Sequence, residues 1–317
     1  AAGALSMVAL KGAALHQLGM YLPGERPMAD IDLLVPRTDE DAADKLLGKL
    51  GFLRISSSWK NAQYFPAGKQ SRVAFGEEGN GPFGIDLHTS LGERLPVRTC
   101  EINVPVFPVW PAPGVVGYRS MATMLLHLLL HCAGNMVTRG LRLIQLHDVA
   151  LTSLQMTQSD WNEVIGGGPT IGEAGSWWAY PPLRLVSRYY PTVVPPAILD
   201  ELGKICHWSL RRYAERQTLT GVSVSDFWIR LLPAAAWTES WWSLGEYTIQ
   251  RARKPDGRPT HMDVQARQDH FNTFKAGQSM PRFARALAFA LLPVARPEVL
   301  LALAAESNQG LNESRQT

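Results

Sequence analysis

The stretch Met28-Ala29-Asp30-Ile31-Asp32-Leu33-Leu34-Val35 limits what this chain can fold into more than any other. Two carboxylates stand two residues apart inside an apolar run that stops at Pro36. Such a run reads as a β-strand, on which side chains i and i+2 leave the same face, so Asp30 and Asp32 stand side by side. Adjacent like charges are costly unless cations bind them, as they do in metal-activated phosphoryl transfer. The alternative is a strand end with two solvated aspartates, and spacing alone leaves both readings open.

The elements around that strand define a small α/β domain. Ser6–Leu10 reads as a buried strand leading into Lys11-Gly12. From Ala13 to Leu22 the apolar positions Ala14, Leu15, Leu18 and Leu22 recur at helical spacing, and Pro23-Gly24 ends the pattern. Thr38 with Asp41 approximates a capping box for a helix that buries Leu46, Leu47 and Leu50 and stops at Gly51. Phe52–Ser57, Ala62–Phe65 and Arg72–Phe75 are short β-prone pieces. The turn Gly79-Asn80-Gly81-Pro82 then feeds the strand Phe83–His88. Strand, helix, strand, helix and several strands predict a small mixed sheet within residues 1–115.

Residues Pro96–Gly117 read as a covering arm and linker, and beyond Tyr118 the pattern is helical. Met121, Leu125, Leu128 and Leu129 lie on one predicted helix, and Leu143, Leu146, Val149, Ala150 and Leu154 on the next. Further helices are predicted around 161–165, 183–189, 198–216, 227–244 and 282–292. The fold class expected is therefore α/β (α+β): a mixed sheet at 1–115, a helical domain at 116–306 and a disordered polar tail at 307–317. Trp177-Trp178 and Trp237 with Trp241-Trp242 form either the aromatic core of that domain or a stacking surface.

Composition weighs on some functions. A net charge of +3 gives no argument for a nucleic-acid-binding protein. Cys100, Cys132 and Cys206 are far apart and form no CxxC pair, which fits neither a disulfide framework nor a zinc site and suits a reduced cytoplasmic setting. Residues 1–10 carry no basic n-region, so no signal peptide is expected. The apolar segment Ala284–Ala305 is interrupted by Pro293, Arg296, Pro297 and Glu298, so no membrane partner is expected.

Three features accompany the aspartate pair. Lys11-Gly12 sits at a strand-to-helix turn, where a glycine lets backbone amides approach a phosphate and Lys11 adds a full charge. Arg26, four residues before Asp30, either contacts a triphosphate or screens the aspartates. Asp86 lies on a later apolar strand with His88 two positions on. If the two strands are neighbours, Asp86 completes a three-carboxylate cluster able to hold two Mg²⁺ ions about 3.5–4 Å apart. His88 would then orient a substrate or relay a proton, or else serve as a structural histidine.

These blocks resemble the polymerase-β-type nucleotidyltransferase superfamily, and most closely its branch of bacterial nucleotidyltransferases that read LKG, RPMxDIDLLV and IDLH in order. Here they stand as Leu10-Lys11-Gly12, Arg26-Pro27-Met28-Ala29-Asp30-Ile31-Asp32-Leu33-Leu34-Val35 and Ile85-Asp86-Leu87-His88. The resemblance covers the first ~90 residues and extends weakly to Arg142–Leu151, a helix with a central aspartate, Asp148. It implies that Asp30, Asp32 and Asp86 bind metal (two Mg²⁺, or Mn²⁺) and that Lys11, Gly12, Arg26 and His88 face the nucleotide. The implied reaction is attack of an acceptor hydroxyl on the α-phosphate of an NTP such as ATP, with pyrophosphate leaving. The wider superfamily usually has Gly-Ser or Gly-Gly in the first turn, where this chain has Lys-Gly-Ala. Relatives modify small molecules, RNA ends or protein side chains, and some accompany genes for ribosomally made peptides. A small molecule or peptide is therefore the expected acceptor, ahead of nucleic acid.

Rival readings stay in view. A degenerate nucleotidyltransferase fold would bind a nucleotide or protein without turnover, and a toxin or antitoxin component is a third. His127 and His131, i and i+4 on one predicted helix beside Cys132, either share a metal or pack at an interface. Asp148 is expected in a buried ion pair or in contact with the catalytic domain. The basic groups Arg211-Arg212-Arg216 and Arg251, Arg253, Lys254 and Arg258 read mainly as solvated faces.

Overall fold

The computed structural model describes residues 5–28, 30–67, 83–102, 106–110, 112–166, 175–223, 228–229, 232, 234–252 and 294–295. The expected strand at 72–75, the turn at 79–82, the helix at 282–292 and the polar tail lie outside them.

The predicted alternation gives a six-stranded mixed sheet. Its strands are β1 (Ser6–Ala9), β2 (Asp30–Leu34), β3 (Phe52–Ser57), β4 (Asn61–Pro66), β5 (Gly84–His88) and β8 (Gly114–Val116). They lie in the order β3-β4-β5-β2-β1-β8. β2 runs parallel to β5 and antiparallel to β1. A separate hairpin pairs β6 (Gly92–Leu95) with β7 (Arg98–Glu101).

The sheet has two unlike faces because its strands alternate in chemistry. Leu33, Val35, Ala62, Tyr64, Ile85 and Leu87 form one face, packed with Ala43 and Leu47 of helix α2 (Glu40–Lys49). The intervening residues put Asp32, Asp86 and Gln63 in one register row on the other face, with Ser56 beside Gln63. A period of two thus sorts an apolar core from a polar row without any change of backbone.

Several local expectations change. Helix α1 (Lys11–Gln17) ends before Leu18, and Gly19 follows with φ +69°. Thr38 does not cap α2: its hydroxyl donates to Asp39, and residues Arg37–Asp39 make a 3₁₀ turn. A true capping box stands at Thr157 and Asp160, at the start of α5 (Gln158–Ile165). The stretch 96–117 is more than an arm and linker, since it holds β7 and also β8, which pairs in parallel with β1.

The helices that follow are α3 (Met121–Thr138), α4 (Leu143–Leu154), α5, α6 (Tyr180–Tyr189), α7 (Pro196–Ile205), α8 (Trp208–Arg216) and α9 (Trp241–Ala252). The helix expected over 198–216 breaks between Ile205 and Trp208. That expected over 227–244 is replaced by strand β9 (Trp228–Ile229), paired with β10 (Val294–Ala295), and a 3₁₀ turn at Ala235–Trp237 before α9. Trp177, Trp178 and Trp237 are buried, whereas Trp241 and Trp242 are exposed. Among the described residues α3 is long and apolar enough to cross a membrane; 78% of that stretch is buried inside the fold, as in a core helix.

By packing, the chain divides into a unit of residues 1–134 and 143–216 and a second of 135–142 and 217–317. Most of α3 and all of α4–α8 pack in the same unit as the sheet.

Candidate metal and nucleotide site

The site is built on the pairing of β2 with β5. Their register sets Asp32 opposite Asp86, Leu34 opposite His88 and Asp30 opposite Gly84. Parallel in-register pairing puts all these side chains on the polar face. Asp32, Asp86 and His88 each offer a ligand atom, and these atoms lie within 4.8 Å of one another. It is the one such group of three among the described residues. Asp30 stands on the same face at the exposed N-terminal end of β2 and lies outside this group.

Two donors converge on Asp32. Lys11 Nζ lies 2.7 Å from its Oδ1, and His88 Nε2 donates to the same oxygen at 2.9 Å. Burial alone would raise the Asp32 carboxyl, but Lys11 and His88 outweigh it and hold the group well below the usual carboxylate range. Burial opposes charge on Lys11 too, yet Asp32, Asp30 and Asp86 raise its pKa above the ordinary lysine value. Asp86 behaves oppositely: burial and then the neighbouring Asp32 charge raise it, although Asn61 Nδ2 donates to its Oδ2 at 3.0 Å. Two carboxylates and an imidazole, one carboxylate ionised and the other destabilised by its neighbour, suit a divalent cation by donor chemistry.

A model of a family described as uncharacterised nucleotidyltransferase matches residues 1–167, more than half of the chain. The chain belongs to this nucleotidyltransferase family. No curated protein and no solved structure gives a significant match. The family assignment agrees with the mixed-sheet α/β architecture and with an Asp-Asp-His group on its polar face.

Around the first turn, residues pair with distant elements of the fold. Arg26 is paired with a carboxylate of the helical part. Its Nε and Nη2 bond both carboxylate oxygens of Asp148 on α4, at 2.9 and 2.7 Å, with both side chains buried. The Tyr21 hydroxyl donates to the same carboxylate at 2.8 Å. Asp148 is thus the buried ion-pair member expected of it. Gly12 is explained by the same clamp. A Cβ there would lie 2.7 Å from Arg26 Cζ and 2.9 Å from Met28 Sδ, so the guanidinium occupies the space a side chain would need.

A second polar network lies beside the aspartates, and sequence spacing gave no sign of most of it. The backbone N–H of Lys11 donates to the Tyr118 hydroxyl at 3.4 Å, and that hydroxyl donates to His127 Nδ1 at 2.6 Å. Burial, then Lys11, keeps His127 well below the ordinary histidine pKa, so it is neutral. Gln145 Nε2 donates to His131 Nε2 at 3.0 Å, which leaves the His131 Nδ1 proton for Glu93, 3.4 Å away. Lys60 closes the network at 2.7 Å from Glu93. His127 and His131 thus bond different groups, Tyr118 for the one and Gln145 and Glu93 for the other. A small polar cavity lies between network and site, lined by Lys11, Lys60, His88, Ser90, Glu93 and His127 among others.

Proposed function

We propose that this protein is a metal-dependent nucleotidyltransferase that moves an NMP group from an NTP to a hydroxyl or similar acceptor. The observation that carries the reading is the gathering of Asp32, Asp86 and His88 on one polar sheet face, in a chain of a nucleotidyltransferase family. Asp32 and Asp86 would hold a Mg²⁺ or Mn²⁺ ion, with Asp30, one pleat nearer solvent, as the further carboxylate for a second. Such an ion, when bound, supplies Lewis-acid stabilisation of charge on the α-phosphoryl oxygens. His88 holds Asp32 in place by its hydrogen bond. Asp86, opposite Asp32 in the register, is the carboxylate proposed to take the proton from the acceptor hydroxyl. The acceptor oxygen forms a bond to the α-phosphorus, the bond to the bridging oxygen breaks, and pyrophosphate leaves with that electron pair. Lys11 is the nearest full positive charge for the triphosphate. A small molecule or peptide is the proposed acceptor class.

One observation favours a second reading, nucleotide binding without turnover. The turn lacks the superfamily's Gly-Ser or Gly-Gly, and its Lys11 is spent on Asp32. Both readings are separated by incubating each α-labelled NTP with Mg²⁺ and cell extract, using native protein and Asp30→Asn/Asp32→Asn. Label transfer by the native protein alone supports the enzyme. Binding of NTP with no transfer, or equal transfer by both proteins, rules it out.

A further inference from the structure

We propose that Lys11 is the resident cation of the Asp32 site, holding the carboxylate until a divalent ion displaces its ammonium. This inference rests on the reading of Asp32 and Asp86 as metal ligands.

Three independent features place Lys11 in that role. Its Nζ lies 2.7 Å from Asp32 Oδ1, with only 17% of the lysine side chain and 8% of the aspartate side chain exposed. A buried carboxylate beside a second carboxylate needs a positive charge, and the Lys11 ammonium supplies one on the same oxygen that His88 bonds.

The second feature is the backbone. Lys11 has φ +46°, in the left-handed region that favours glycine. A glycine at that position would relieve the backbone, so a lysine there points to use of its side chain. Strained non-glycine residues of this kind cluster at binding and catalytic sites.

The third feature is what holds the strain. The Lys11 N–H is tied to Tyr118, itself anchored on His127 of α3. The main chain is thereby fixed while the side chain remains a four-carbon stem with rotatable bonds.

Charge then dictates the exchange. An ammonium and a divalent ion on one carboxylate repel each other at contact distance, so metal entry at Asp32 weakens the Lys11–Asp32 pair and favours release of the ammonium. The displaced ammonium requires a new anion, and the triphosphate of an arriving nucleotide supplies one. Metal alone therefore binds weakly, and metal and nucleotide bind cooperatively.

The test measures Mn²⁺ binding to the full chain without nucleotide, by the loss of the free-ion paramagnetic resonance signal. Lys11→Met and Lys11→Gln are each expected to bind at least about tenfold more tightly than the native protein. A full charge at this range changes the cation affinity of a carboxylate by about 10- to 1000-fold. Lys11→Arg should stay near the native affinity, and adding Asp32→Asn to Lys11→Met should abolish the gain. Unchanged or weaker binding by both neutral variants, with native-like melting, overturns the proposal.

A second readout needs no substitution. Brief acetylation, quantified by mass spectrometry, should find Lys11 protected in metal-free protein and labelled at saturating Mn²⁺. Labelling unaffected by Mn²⁺ also overturns the proposal. Nucleotidyl transfer is scored separately. Transfer without any Lys11 effect on Mn²⁺ sinks this assignment alone, whereas tighter Mn²⁺ binding without transfer from any NTP sinks only the transferase reading.

Discussion

Replacing Asp148 tests the internal architecture most sharply, because one carboxylate there satisfies two partners. Asp148→Ala removes the acceptor for both guanidinium bonds of Arg26 and for the Tyr21 hydroxyl. Arg26 keeps only 10% of its side chain exposed, so the stranded charge has little water to turn to. Removing one member of a buried pair costs about 3–5 kcal/mol. Tyr21→Phe deletes a single hydrogen bond while Arg26 still serves the carboxylate, and should cost about 1 kcal/mol. The double variant Arg26→Met/Asp148→Leu leaves no unpaired charge, and apolar replacement of a whole buried pair is close to neutral. It should therefore lie nearer the native protein than Asp148→Ala does, a coupling of about 3 kcal/mol in a double-mutant cycle. Urea unfolding followed by circular dichroism reads these proteins and the singles Arg26→Met and Asp148→Leu, which complete the cycle. A cost below about 1 kcal/mol for Asp148→Ala, or a double variant equal to the sum of its singles, would refute the buried clamp.

Two further outcomes follow from the same geometry. Gly12→Ala drives a methyl into Arg26 Cζ and Met28 Sδ, so overpacking of about 1–3 kcal/mol should outweigh a helix-propensity gain of about 1 kcal/mol; a raised melting temperature would contradict the contact. Glu93 is held below its ordinary pKa because His131 and Lys60 outweigh burial. A depressed carboxylate contributes stability above the unfolded-state value, about 4.3, and loses it as pH falls through the folded value. The stability difference between native protein and Glu93→Gln should thus be full near pH 7 and shrink below about pH 4.3, and parallel pH profiles of the urea midpoint would count against it.

How much of this was legible in the sequence depends on the range of the interaction involved. The strands of the polar face were readable because a period of two is local, and Asp32, Asp86 and His88 follow from it once β2 and β5 are neighbours. Asp30 shares the periodicity but not the position, since it stands where β2 emerges into solvent. The Asp148 partner of Arg26 was not legible for a physical reason: it lies 122 residues away, and no local pattern reveals that pairing. The same holds for Tyr118, Lys60 and Glu93, whose roles exist only once α3 packs beside β5 and β6. β8 was hidden because three residues among prolines carry too short an alternation to register as a strand. Lys11 stands out in the sequence at its strand-to-helix turn, but its pairing with the carboxylate of Asp32 is set by the fold.

The central claim is that the Asp32–Asp86 row transfers a nucleotidyl group. It is tested most directly by comparing α-labelled with γ-labelled NTP, in Mg²⁺ or Mn²⁺, on native protein and on Asp32→Asn and Asp86→Asn. The account predicts that acceptor material gains α-label and no γ-label, that labelled pyrophosphate is released, and that each variant loses at least about 100-fold in rate, as removal of a charge-stabilising group does. Transfer of γ-label, or α-label transfer that survives both substitutions, would contradict it.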